Sequence, residues 1–491
     1  MRDSYDLLVI GGGINGAGIA RDAAGRGLSV LLVEKGDLGG ATSSASSKLI
    51  HGGLRYLEQY EFRLVREALA EREVLLRLAP HIAWPLRFVL PHRPAMRPAW
   101  LIRAGLFLYD HLARRVTLPA SRSLAPGDPL LAPLAAGARG FAYSDAWVED
   151  SRLTLLNARD AARRGAEVLV RTAFVDATRD ARGWTARLVG PDGAARSVRA
   201  RAMVNAAGPW VMATQAATGA PASGRVRLVR GSHIVVPRLH DGDQAFILQN
   251  DDGRVVFVIP YEGRFSLIGT TDEPQGDEAP VCTPAEEAYL CAAVSAQFAR
   301  PVTPADIVWR YAGVRPLFDD GAGAASEVTR DYVLRLDEGG APLLTVYGGK
   351  ITTFRHLAQE AVDRLCRAMG RDAAAWTAGA VLPGGDLGGL SLAAFEEAAA
   401  LRFRFLPRAV LARMVRCYGS EIDLVLAGAE GLNDLGPDLG AGLYACEIAW
   451  MKAHEFATTA EDVLWRRTKR GLHLDDAARD RAARAIEALL A

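Results

Sequence analysis

Residues 6–36 read DLLVIGGGINGAGIARDAAGRGLSVLLVEKG, and no other stretch restricts the fold as tightly. DLLVI (6–10) is an uninterrupted apolar run with the length of a strand buried on both faces. Glycines follow at once, and Ile14, Ala17, Ile19, Ala20 and Ala23 then recur with helical spacing. LSVLLVEKG (28–36) predicts a second strand, which completes a βαβ unit. Gly11, Gly13 and Gly16 spell G-x-G-x-x-G between strand and helix, where bare glycine lets the backbone approach a pyrophosphate at the positive helix end. Ile14 and Asn15 open that helix. Glu34 closes the second strand, 23 residues after Gly11, where a carboxylate accepts hydrogen bonds from ribose hydroxyls. Lys35 follows it at the same strand end. A carboxylate there repels a 2′-phosphate, which disfavours NADP. A glycine-rich helix start without a ligand would explain neither the second strand nor Glu34.

After the second strand a nicotinamide enzyme usually turns into another helix. This chain instead enters ATSSASSKLIHGGLRYLE (41–58), poor both as helix and as strand. Its hydroxyls at Thr42, Ser43, Ser44, Ser46 and Ser47, with Lys48, His51, Gly52 and Gly53, suit an irregular wrap around a long, permanently held cofactor. That favours FAD over NAD. A plain solvated loop is the competing reading of this run.

Composition narrows the partners. Lys plus Arg (58) nearly cancels Asp plus Glu (57), so no overall field gathers nucleic acid, and any anion site is local. The five cysteines show no CxxC or CxxH spacing, which argues against a disulfide framework or a metal centre and fits a reducing compartment. The apolar run before the first glycines is too short for a signal peptide, and no uncharged apolar run reaches the roughly 18 residues of a spanning helix.

Longer-range patterning points to more than one layer. AEVLVRTAFVDATRD (166–180) and 184–208 predict strands joined by a P-D-G turn and running into Ala206, Ala207 and Gly208, as a meander returning to the cofactor would. RVRLVRGSHIVVPRL, RVVFVIPYEGRFSLIGTTD and DYVLRLDEGGAPLLTVYGG supply further strands, suited to an antiparallel sheet. After VLPGGD (381–386) the composition turns to Ala, Leu, Glu and Arg with helical spacing.

The amino-terminal run from IGGGINGAG to IHGGLRYLE resembles that of FAD-dependent glycerol-3-phosphate dehydrogenases. Further matches are GSHIVVP (231–237), IGTTD (268–272), YAGVRPL (311–317), TRDY (329–332) and YGGKITTFR (347–355), so the likeness covers nearly the whole chain. It implies an α/β (α+β) architecture: a Rossmann-like FAD-binding domain of the glutathione-reductase/D-amino-acid-oxidase type, an antiparallel substrate sheet and a C-terminal helical domain. The expected division is 1–85, 150–225 and 335–380 for the discontinuous FAD domain, 86–149 and 226–334 for the substrate domain, and 386–491 for the helical domain. The implied activity is oxidation of sn-glycerol 3-phosphate to dihydroxyacetone phosphate with non-covalent FAD and a membrane quinone. Competing readings are an oxygen-dependent glycerol-3-phosphate oxidase, a D-amino-acid or glycine oxidase, and a flavoprotein scaffold without turnover.

Such chemistry needs a base for the hydroxyl proton and cations for alkoxide and phosphate. Arginine suits phosphate because its planar fork matches oxygen pairs. The resemblance brings Arg55 (beside Tyr56), Arg315 and Arg330 to one pocket; Thr270 is a candidate hydrogen-bonding partner of the substrate, with a plain strand-end threonine as the competing reading. It also places Gly349, Lys350, Ile351 and Thr352 at a helix start facing the flavin, where Lys350 would stabilise negative charge on the reduced ring. His233 is the preferred base because a neutral imidazole is available near pH 7, with Lys350 and Arg55 as competitors. Taken alone, a histidine in an apolar strand is more often a satisfied core residue.

One segment carries a different message. Residues 84–116 hold six arginines against one acid, Asp110, amid Trp84, Phe88, Trp100 and Phe107, a mixture suited to an anionic bilayer interface. The expectation is a peripheral protein on the cytoplasmic face of the inner membrane. Packing against the core or a partner subunit is the alternative, and whether the helical domain makes a homodimer stays open at this point.

Overall fold

The structure, a computed structural model, describes residues 2–54, 57, 60–93, 96–221, 224–276, 278–319 and 331–491. Arg55, Tyr56 and Arg330 therefore lie outside the described residues.

The βαβ unit forms where its pattern puts it: strand β1 (Ser4–Ile10), helix α1 (Ile14–Gly25) and strand β2 (Val30–Val33). Leu7, Leu8, Val9, Leu31 and Leu32 are wholly buried, as expected of parallel strands covered on both faces, and each such side chain contributes about 1.5–3 kcal/mol. The first sheet runs in the order 333–337, 343–347, 195–205, β1, β2, 167–169, with a hairpin of 173–180 and 183–189 attached to 195–205. From 343–347 to 167–169 the pairing is parallel throughout. Helix α1 packs between the sheet and the helices Asp150–Arg163 and Phe354–Ala368. Gly18 admits the last of these, since a Cβ there would meet Phe354 Cδ2 at 2.9 Å.

The second sheet is ten-stranded and mostly antiparallel, ordered 273–274, 226–237, 265–269, 255–261, 245–249, 83–91, 140–148, 49–50, with 309–318 on strand 226–237 and 122–124 on strand 140–148. Its register brings three distant motifs side by side: His233 faces Gly269 on one neighbour and Tyr311 on the other, and Gly231 faces Gly313. The sheet also takes Leu49–Ile50 and all of Ala83–Pro91, although the sequence division assigned residues up to 85 to the nucleotide-binding part.

The interfacial segment expected over 84–116 divides in two. Its first part is the interior strand Ala83–Pro91, with Phe88, Val89 and Leu90 buried, so these apolar residues serve the sheet core and not a bilayer. Its second part is the helix Ala99–His111, which buries Leu106 and Tyr109 but leaves Trp100 71% and Phe107 58% exposed, with Leu101 and Leu108 beside them. Among the described residues no helix is long and apolar enough to cross a membrane.

Beyond residue 386 the chain is helical (Leu392–Arg402, Arg408–Tyr418, Ala445–His454, Asp476–Leu490) around a core that includes Leu411, Met414, Ile448, Met451 and Ile486. Buried ion pairs stitch it to the nucleotide-binding layer: Arg152–Glu455 at 2.9 Å, Arg159–Glu421 at 2.8 Å and Arg467–Asp37 at 2.6 Å.

Candidate active site

Between the two sheets lies a cavity of about 1810 Å³ that reaches from the β2 end to the strands carrying His233 and Arg315. At its first end Gly11 has φ +108°, and a Cβ there would come within 2.5 Å of the Ala206 carbonyl oxygen. Gly16 does not border the cavity. Its role is packing, because a Cβ at Gly16 would meet the Gly11 carbonyl oxygen at 1.9 Å. Gly11, Gly13, Ile14 and Asn15 line the wall. The Glu34 carboxylate also lines it, and its two oxygens accept the N–H groups of Gly12 (2.7 Å) and Gly36 (2.8 Å), which fixes its direction.

The hydroxyl-rich run begins as an irregular strap with a 3-10 turn at Thr42–Ser44. Thr42, Ser43, Ser46, Ser47, His51 and Gly53 border the cavity. Ser43 Oγ accepts the Ile14 N–H at 2.9 Å, so the strap caps α1. Thr42 donates to the Val314 carbonyl at 2.6 Å, tying the strap to the substrate sheet. Besides Gly16, three residues of the strap expected at the cofactor lie off the wall. Lys48 is fully buried off the wall, and its Nζ donates to Asp150 at 2.7 Å and to the Ser44 carbonyl at 3.2 Å, because a buried ammonium needs a counter-charge more than a distant phosphate. Gly52 turns its N–H to the Tyr109 hydroxyl at 2.8 Å, away from the wall. Ser44 turns its hydroxyl back to the Ala41 carbonyl and likewise leaves the wall.

Lys35, Ala207, Gly208, Gly349, Lys350, Ile351 and Thr352 all border the cavity. Gly348 and Gly349 have φ +71° and +99°, a double left-handed turn that glycine alone makes without strain. It places residues 350–352 just ahead of the helix Phe354–Ala368. His51 is half-buried beside this turn. Burial first, then the charges of Lys350 and Arg72, push its pKa down to about 4, so the ring is neutral.

At the other end Gly231, His233, Thr270, Thr271, Asp272, Gly313 and Arg315 share the wall. Arg315 donates to the Thr271 carbonyl and to Asp272, both at 3.0 Å. Gly231 makes space for this group: a Cβ would lie 2.5 Å from Thr270 Oγ1 and 2.9 Å from the Arg315 guanidinium. His233 Nε2 is 2.8 Å from Ser47 Oγ, and its ring stacks on Tyr311 at 4.8 Å. Nδ1 has no hydrogen-bond partner. Nδ1 is also shut off from the cavity, so Nε2, beside Ser47, is the ring nitrogen a substrate can reach. Burial first, then Lys48 and Arg315, push the His233 pKa down to about 3, and the ring is uncharged across the neutral range.

Motif reading missed several supports. Glu286 accepts from Ser232 (2.8 Å) and Thr271 (2.7 Å), anchoring the strands under Arg315. Tyr311 backs His233 and donates to the Ser46 carbonyl at 2.8 Å. Asp272 was visible only as the last letter of IGTTD.

The comparisons with known proteins agree with this fold. A family model described as FAD dependent oxidoreductase covers residues 6–355, and one described as the C-terminal domain of alpha-glycerophosphate oxidase covers 375–491. A glycerol-3-phosphate dehydrogenase of Pseudomonas aeruginosa is 54% identical over 481 residues, 96% of this chain and 93% of that protein. The chain belongs to the FAD-dependent glycerol-3-phosphate dehydrogenase family. Another relative, D-erythritol 1-phosphate dehydrogenase of Brucella abortus, is 51% identical over 97% of this chain and 96% of its own length. The crystal structure of a glycerol-3-phosphate dehydrogenase from Bacillus halodurans complexed with FAD superposes with a TM-score of 0.74 at 25% identity, covering 100% of this chain and 95% of that one.

FAD is the cofactor of this family member, and the residues present fit it. The cavity is large enough for a dinucleotide, Gly11 with its φ of +108° packs the turn before α1 against the Ala206 carbonyl where any Cβ would collide, and the Glu34 carboxylate is held on the wall at the strand end where such a motif binds ribose hydroxyls.

Proposed function

We propose that this chain oxidises the secondary hydroxyl of sn-glycerol 3-phosphate to the ketone of dihydroxyacetone phosphate, and that the electrons pass to a quinone at a membrane surface. The observation that carries this reading is the register of the second sheet, which sets His233, Thr270 and Arg315 into the same cavity as the dinucleotide cradle. Bound FAD supplies a two-electron acceptor for the hydride leaving carbon. His233 takes the hydroxyl proton on Nε2, the nitrogen beside the cavity-lining Ser47, since Nδ1 is buried away from the cavity. Arg315 binds phosphate oxygens, and the dianion so placed raises the basicity of His233 toward that of a useful proton acceptor. Thr270 orients a substrate hydroxyl, while Lys350 supplies positive charge beside the cofactor. Arg55, Tyr56 and Arg330 belong to this proposal by family likeness.

Membrane attachment through the exposed Trp100, Leu101, Phe107 and Leu108 face follows from its chemistry, since the helix Ala99–His111 runs into Arg114 and Arg115. The expected location is the cytoplasmic face of the cell membrane, peripherally bound.

The Brucella relative gives a second reading its footing: at 51% identity it acts on a four-carbon polyol phosphate. Anaerobic titration decides between them. Glycerol 3-phosphate should bleach the flavin band of the holoprotein at lower concentration than D-erythritol 1-phosphate, and glycine should leave it intact. The reverse order would make the tetritol phosphate the substrate, and bleaching by glycine alone would end both readings. Product formed with a quinone analogue and without peroxide supports the acceptor; stoichiometric peroxide names oxygen instead.

A further inference from the structure

The cavity has a wall that neither the nucleotide-binding motif nor the substrate strands provide. Thr459, Glu461, Arg466 and Glu487, all from the C-terminal helical region, border it together with Glu34, Lys35, Gly36 and Asp37. We propose that the C-terminal region is a working part of the dinucleotide site: its segment 458–467 closes the adenosine end and, by gripping Asp37, holds the ribose-binding turn in place. This rests on FAD lying with its ribose at Glu34.

The grip is built from charge that is out of water. Asp37 is 5% exposed and receives Arg467 through both carboxylate oxygens (2.6 and 2.8 Å) and Arg466 Nε at 2.5 Å. Both arginines come from one π-helical turn, Asp462–Arg467. The wider spacing of that turn lets consecutive residues 466 and 467 reach the same acceptor, and π-turns recur at functional sites. A second tie runs from the opposite side of the turn. Arg171 donates to Asp462 at 2.8 Å. Its backbone N–H bonds the Gly36 carbonyl at 2.8 Å, and the N–H of Thr172 bonds the Glu34 carbonyl at 2.8 Å. Residues 34–37 are thus held from both flanks by groups whose own partners lie in segment 458–467. Arg466 completes the cluster with Glu461 (2.8 Å) and Asp462 (2.6 Å) while still bordering the cavity. Glu487 accepts the Ala460 N–H at 2.7 Å and fixes the loop that leads into it. A helical region that only buttressed the fold would need no charged side chains along the cofactor wall.

FMN makes the test specific, because it has the isoalloxazine and one phosphate but no adenosine. Arg466→Met and Glu487→Ala variants of the full chain are purified as holoprotein, and FAD loss after dilution is followed by flavin fluorescence. The stripped chains are then titrated with FAD and with FMN. Loss of one charge-assisted contact is worth about 1.4 kcal/mol or more, so the ratio of FAD to FMN affinity should fall about tenfold or more in Arg466→Met and by less in Glu487→Ala. Equal weakening of both flavins would mean a purely structural role and overturn the proposal. Unchanged affinities for both would overturn it as well. Glu487→Ala changes an exposed side chain, so it keeps the test open if Arg466→Met fails to fold.

Discussion

Replacing Lys48 with methionine separates two accounts of the hydroxyl-rich strap. If Lys48 were a cofactor ligand, the change would loosen FAD and leave the protein's stability nearly intact. The structure instead gives it a counter-ion: Lys48 and Asp150 are both fully buried and 2.7 Å apart. Burial by itself would raise the Asp150 carboxyl, and Lys48, followed by Lys469, outweighs it and holds the group below its usual range. Without the ammonium a charged carboxylate is left in the interior, which costs about 3–5 kcal/mol. Asp150 keeps its hydrogen bonds from Ser46 Oγ (2.7 Å) and Ser151 N–H (2.8 Å), so the lower half of that range is expected. This is a large part of the roughly 5–15 kcal/mol that holds a domain together. Denaturant unfolding of the holoprotein and of the stripped chain should both shift, and Lys48→Met/Asp150→Asn should recover most of the loss by removing the stranded charge. A Lys48→Met protein with normal unfolding but fast FAD release, or a double variant no better than the single, would refute this reasoning.

Other consequences are open to measurement. His81 and His233 are buried and His51 is half-buried, and loss of hydration is the first cause that pushes the pKa values of His51, His81 and His233 down to about 4, 3 and 3. The unfolded chain takes up protons near pH 6.5 while the folded one does not, so their stabilisation is complete above that pH and is lost as pH falls. Between about pH 7.5 and 5.5 the three together should cost about 4 kcal/mol in unfolding free energy, and a flat profile would contradict the burial of neutral rings. His233→Ala should slow flavin reduction by about 10²–10⁴-fold with FAD still bound; an unchanged single-turnover rate would remove it as the base. Arg315→Ala should raise KM for the phosphorylated substrate by roughly tenfold to a hundredfold, the worth of a charged hydrogen bond, and a normal KM would take Arg315 out of the phosphate site. Trp100→Ser/Phe107→Ser should reduce co-sedimentation with anionic vesicles while leaving activity toward a water-soluble acceptor unchanged; equal binding by both proteins would point to another surface.

What could be read from the sequence is what local spacing encodes. β1, α1 and β2 formed as their periodicities required, because an apolar strand, a glycine turn and an amphipathic helix within 36 residues specify one another. The three strand motifs around His233, Thr270 and Arg315 could be found as motifs, but their adjacency is a matter of sheet register that no local pattern carries. The partner of His233 is Ser47, 186 residues away. Lys48 was misplaced for the same reason: beside serines it resembles a phosphate ligand until Asp150, 102 residues on, supplies the charge that claims it. In 84–116 apolar and basic residues look alike whether they line a sheet or a bilayer, and only strand pairing assigned Phe88 to the interior. The cavity wall from residues 459–487 left no motif at all, since it depends on a π-turn and on ion pairs that span some 430 residues.

The most direct measurement is anaerobic stopped-flow reduction of the holoprotein with glycerol 3-phosphate carrying hydrogen or deuterium at C2. Hydride abstraction from that carbon in this cavity predicts rapid bleaching of the flavin band that deuterium slows, and both the rate and the isotope sensitivity should change in Ser47→Ala. Bleaching that ignores the deuterium and the Ser47 change alike, or no bleaching while a non-phosphorylated substrate reduces the flavin, would contradict the account.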